Sequence, residues 1–158
     1  MSTPAFDVTI AHRWFAIEFN NAAWDLIDLP QRTVEQNDNM LAAALASRQH
    51  WYQVGTLLNK LRAESLVAAA YLNAGWPELS LHHARLCQAL SDRAGEEQTP
   101  FDKACVFGGL ACALAKLDQW DEARERYSQA LTVAHKFEDP EELPVFERLY
   151  HLDTDEIA

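Results

Sequence analysis

The residues best equipped for chemistry lie between Ser47 and Ser65, in the segment SRQHWYQVGTLLNKLRAES. Along it, Gly55, Asn59 and Arg62 are spaced four and three apart, so on a helix an amide and a guanidinium project from one flank beside a position with no side chain. That gap admits a neighbouring helix or a ligand. With Arg62 as the fork, the ligand would be an anion or a carboxylate. His50, Trp51 and Glu64 belong to the same stretch. His82 and His83 form an adjacent pair further on that could meet His50 across helices.

The histidines and carboxylates do not have the spacing of a metal centre. His82 and His83 sit about 100° apart on a helix, and neither an HxxxH nor an ExxH pattern occurs. His12, His135 and His151 stand singly. Serine nucleophile elbows, phosphate loops and dinucleotide fingerprints are absent from the sequence. Neither a metal nor a cofactor is expected.

The three cysteines, Cys87, Cys105 and Cys112, have no CxxC or Cys/His pattern. An odd number in a helix-rich chain fits reduced thiols. Cys105 and Cys112 share a helix face but lie about 10 Å apart along it, too far to bond. The first residues show no basic cluster ahead of an apolar run, and no run of eighteen apolar residues follows. A cytoplasmic protein with no membrane span is expected.

The net charge is −11 over 158 residues. Eight acids against Arg148 from Glu138 onward make the C-terminal end the most acidic part. Nothing supplies the basic face that nucleic acid requires. Residues 153–158 are read as an acidic, flexible tail and residues 1–152 as one domain.

With 49% hydrophobic residues and five glycines, the composition favours helix. The first helix is expected from about Asp7 to Asp28, with two apolar stripes that imply contacts on more than one side. Thr33 with Gln36 has capping-box spacing for a second helix, which is expected to run to about Trp51. A third is expected from about Gln53 to Ala74, ending at Gly75. Pro77 opens a fourth that ends before Gly95. Gly95 to Pro100 reads as the clear loop, and Thr99-Pro100 starts a fifth. A sixth spans about Gln119 to Lys136, and a short last helix between Glu141 and His151 is expected to cap the structure.

From Phe107 to Leu131 small residues (Ala111, Ala123, Ala130) alternate with bulky ones (Phe107, Leu110, Leu114, Trp120, Tyr127) around a turn at Asp118-Gln119. This pattern resembles the tetratricopeptide repeat, with Asp118 where that repeat has glycine and His135 where it has its closing proline. Ala68, Tyr71, Gly75, Ala84 and Cys87 form a second copy 43 residues earlier, and the same step reaches the break at Pro30-Gln31-Arg32. The resemblance implies an all-α fold, a right-handed stack of about three antiparallel hairpins. It also implies a non-catalytic module that binds a protein or peptide in a concave surface lined by the first helix of each hairpin, with exposed Asn, Arg and aromatic side chains. Self-association through an uncapped helix face is compatible with it. The Ser47–Ser65 stretch also resembles HWxxVGTxxNxxRxE, a pattern of uncharacterised bacterial helical-repeat proteins, carried here by His50, Trp51, Val54, Gly55, Thr56, Asn59, Arg62 and Glu64. The competing expectation is a small-molecule- or metal-assisted protein, hydrolase-like, using His50, Arg62, Glu64 and His82 or His83.

Overall fold

A computed structural model describes residues 5–152, and these are all-helical. The order is α1 (Val8–Ile27), α2 (Val34–Val54), α3 (Leu57–Asn73), α4 (Pro77–Ala94), a 3-10 turn (Gly95–Glu97), α5 (Pro100–Ala115), α6 (Trp120–Ala134) and α7 (Glu142–Leu149). Residues 153–158, where a flexible acidic tail is expected, lie outside the described residues. No helix among the described residues is long and apolar enough to cross a membrane.

Side chains placed by the sequence start these helices. Asp7 accepts from the amides of Thr9 and Ile10, satisfying two donors that α1 leaves open. Three reciprocal capping boxes follow, Thr33 with Gln36, Thr56 with Asn59, and Thr99 with Asp102. The second corrects an expected boundary. Helix α2 runs on to Val54, and α3 begins only at Leu57, because Gly55 and Thr56 are both extended and Thr56 is the cap.

The turns after α3 and α5 are built alike. Trp76 N donates to Tyr71 O at 2.9 Å and Gly75 N to Leu72 O at 3.1 Å; 43 residues later Gln119 N donates to Leu114 O at 3.0 Å and Asp118 N to Ala115 O at 3.1 Å. Both turns need a left-handed residue, Gly75 at φ 83° and Asp118 at φ 58°. The break between α1 and α2 is different. There the Arg32 guanidinium donates to the carbonyls of Leu26, Ile27 and Leu29 and to Asn73 O, closing the C-terminal ends of α1 and α3 together. The Gly95–Pro100 loop is also pinned, by buried Gln98, which donates to Ser91 O and Gly95 O and accepts from the Ser91 hydroxyl.

From α1 to α6, successive helices pack as antiparallel neighbours, and α7 packs on α5. Ser47 of α2 donates to Ala16 O of α1, and Cys87 of α4 to Leu61 O of α3. Helices α1, α3 and α5 adjoin in the same sense, tied at one end by Arg32 and at the other by an Arg62–Asp102 pair. Helix α3 is central. Its Leu66, Val67 and Ala70 join the core shared with α1 and α2, while Leu61 and Ala68 join the larger core with α4, α5 and α6. Small residues at the crossings, Ala16, Ala23, Ala44, Ala111, Ala123 and Ala130, are wholly buried, which lets the backbones approach closely.

Candidate functional site

Two polar clusters and one groove are candidates for function. The first cluster centres on Glu64, whose side chain has no exposure to solvent. Its Oε1 accepts from Arg48 Nε at 2.7 Å and from the Tyr52 hydroxyl, and its Oε2 accepts from His83 Nδ1 at 2.7 Å. Arg48 also lies over the Tyr52 ring, 4.3 Å from its centroid, and His83 stacks on Tyr71 at 5.5 Å. Burial works to raise the Glu64 pKa, but hydrogen bonds from His83, Tyr52 and Arg48 outweigh it and hold the carboxylate ionised below its ordinary range. Burial, then the bond to Glu64, pushes Tyr52 up to about 12. A carboxylate with both oxygens engaged and no solvent access ties α2, α3 and α4 together. Three of its lone-pair sites are taken and none of the side chain reaches solvent, which leaves it no route to a ligand or a substrate proton.

The second cluster joins α3 to α5. Arg62 Nε and Nη2 donate to Asp102 Oδ1 and Oδ2 at 2.8 and 2.9 Å, a fork-to-carboxylate pair. Asp102 Oδ2 also accepts from Thr99 N and Oγ1, each at 3.1 Å, as half of the α5 capping box. Burial raises the Asp102 pKa and the Arg62 and Thr99 bonds more than reverse it. The anion that Arg62 binds is thus supplied by the chain itself.

The residues singled out in the sequence fall at separate places. Asn59 turns back to Thr56 N at 3.0 Å and builds the α3 cap. Gly55 is required by a close approach, since a Cβ there would lie 2.5 Å from Trp51 O and 2.8 Å from Asn59 Cβ. The gap beside Asn59 is thus filled by Trp51 and Asn59 themselves. His50 pairs with His12 of α1, Nδ1 to Nδ1 at 2.7 Å, against Phe15 and Phe19. Burial and then His12 lower the His50 pKa. At 2.7 Å one of the two facing nitrogens donates and the other accepts. His82 is exposed and meets His83 edge-on at 5.1 Å. Of the expected set, the structure brings Glu64 to His83 and Gly55 to Trp51 and Asn59. It does not bring His50, Asn59 and Arg62 into one concavity. Arg48, Tyr52 and Asp102 were not legible as their partners, although Thr99-x-x-Asp102 repeats Thr56-x-x-Asn59 at the 43-residue step.

Among the described residues no group of three or more His, Cys, Asp or Glu could hold a metal ion. The cysteines are buried free thiols, and burial pushes Cys105 and Cys112 up to about 12, far from the reactive thiolate.

The groove lies where α1, α3 and α5 adjoin. A cavity of about 430 Å³ opens between Asn20, Trp24, Arg62, Phe101, Asp102 and Glu142. Its far wall is α7. Phe146 is wholly buried, the Tyr150 hydroxyl lies 3.4 Å from Ser65 Oγ on α3, Arg148 pairs with Asp28 at the end of α1, and the Tyr150 ring rests on Gly108 of α5. The final helix therefore does more than cover α5. It spans the same three helices that line the groove and fills part of it.

Comparison with family models, with curated proteins and with solved structures finds no match to this chain.

Proposed function

We propose that this chain is a non-catalytic helical-repeat module of tetratricopeptide-like character, a short right-handed stack of three hairpins closed by α7. In this reading it binds a protein or peptide segment in the groove between α1, α3 and α5. The repeat reading rests on the 43-residue recurrence of both the α3/α4 and α5/α6 turns and the Thr56 and Thr99 capping boxes. The observation that carries the binding reading is the cavity of about 430 Å³ beside α7, lined by half-exposed Arg62 and by aromatic Trp24 and Phe101. Segments that dock in such grooves present apolar anchors three and four residues apart. Helix α7 already places Leu149 and the following Tyr150 along one wall, an apolar pair of the kind such a segment would present.

The competing reading, a small-molecule or metal-assisted site, would need His50, Arg62, Glu64 and His82 or His83 to converge; Glu64 and His83 meet, but Arg62 is held by Asp102 and His50 by His12. Three buried thiols with no disulfide among them are compatible with a reducing, cytoplasmic setting.

The test is peptide selection against the full chain. Peptides enriched by selection should lose binding to an Asn20→Trp variant, which fills the cavity, and keep it with His82→Ala. Equal binding to Asn20→Trp would contradict the reading.

A further inference from the structure

The outer face of α1 carries an apolar seam that its own domain does not cover. Ile10, Trp14 and Ile17 are 68%, 56% and 43% exposed, whereas Ala16 and Ala23, on the opposite side of the same helix, are fully buried, Ala16 bonded to Ser47 of α2 and Ala23 in the core with α2 and α3. The exposed residues are spaced four and three apart, and Asn21, also exposed, follows at the next step. This is the 3–4 alternation of a coiled-coil seam, with Ile10 and Ile17 at d and Trp14 and Asn21 at a. In that register Arg13 occupies the g position on one flank and Glu18 the following e position on the other, both exposed.

The flanks decide the occupant and its direction. In a parallel pair, g of one helix faces the e five residues later on its partner, so Arg13 meets Glu18 of a second copy twice over. In an antiparallel pair the flank carrying Glu18 and Asp25 would face itself, carboxylate against carboxylate. Asn21 strengthens the choice, because an amide at an a position pairs with its own copy only in a parallel, in-register dimer.

We infer that this protein self-associates as a parallel dimer through the Ile10–Asn21 face of α1. The face is about three turns long, shorter than the interfaces of permanent dimers, so the dimer forms and dissociates at micromolar concentration. Trp24, the next step of the same stripe, and Asn20 beside Asn21 line the groove, so the dimer face ends at the groove's edge.

Sedimentation equilibrium of the full chain over a range of concentrations tests this, with circular dichroism confirming that each variant is folded. Wild type should pass from monomer to dimer. Trp14→Glu should remain monomeric. Arg13→Glu or Glu18→Arg alone should weaken the dimer about tenfold, and the two together should restore it. Asn21→Cys should give a disulfide-linked dimer on mild oxidation. A wild type that stays monomeric up to ~500 μM, a Trp14→Glu variant that still dimerises, a double charge reversal as weak as either single, or an Asn21→Cys that does not cross-link would each overturn the inference.

Discussion

Replacing Glu64 distinguishes a packing seam from a poised site. Glu64→Gln keeps the volume but removes the charge that draws Arg48, Tyr52 and His83 together. Breaking a buried pair by removing one partner costs about 3–5 kcal/mol, because the other charge is left uncompensated. Arg48 keeps a quarter of its side chain in solvent and can turn outward, which lowers the figure. An amide oxygen can also still accept from Arg48 and Tyr52. The expected loss is therefore about 2 kcal/mol for Glu64→Gln and about 3 kcal/mol for Glu64→Ala at neutral pH. In a chain of this size about 3 kcal/mol corresponds to a fall in Tm of roughly 6–12 °C. The pH dependence carries the sign. Because the folded-state pKa is lowered, Glu64 contributes stability above the ordinary glutamate range and loses it as pH falls below about 4. The gap between wild type and Glu64→Gln in urea unfolding should thus be full at neutral pH and close progressively below pH 4. A pH-independent gap, or variants as stable as wild type, would refute the assignment of Glu64 as an ionised strut. A gain in stability would refute it more strongly, since that is the behaviour of a strained functional group.

Three further substitutions test local geometry. Gly55→Ala puts a Cβ 2.5 Å from Trp51 O and 2.8 Å from Asn59 Cβ, so the α2–α3 corner must shift, with a loss of about 2 kcal/mol in denaturant unfolding. Asp118→Gly should stabilise by about 0.5 kcal/mol, because Asp118 holds φ 58° where Gly75 does the same work in the earlier turn without a Cβ penalty. Gly108→Ala places a Cβ 2.7 Å from Tyr150 Cγ and should loosen α7, read as faster proteolytic cleavage in the α6–α7 connection with little change in helix content elsewhere.

The sequence carried most of the helical layout, because capping residues and turns are local signals. Thr33, Thr99, Gly75 and Asp118 each fix a boundary through bonds that reach no more than five residues. The capping role of Asn59 was not legible, for the opposite reason. As a member of a polar stripe it resembles a ligand, and only the extended backbone at Gly55 and Thr56 makes it a cap. The Glu64 cluster was half legible. Glu64 and His83 were candidates, but Arg48 and Tyr52 come from the preceding helix, and their approach depends on a corner whose position the periodicity placed too early. Helix α7 was expected as a cap over the last hairpin. Its reach to α1 rests on Arg148 and Asp28, 120 residues apart, and no local pattern encodes such a pair.

The central claim is that recognition belongs to the groove and not to the polar cluster around Glu64 and His83. A photo-reactive side chain at Asn20, in the groove, and another at His82, beside the cluster, would be compared in the full chain within its own cells. The account predicts a discrete cross-linked partner from Asn20 that is absent from His82. A partner trapped from His82 alone, or the same products from both positions, would contradict it.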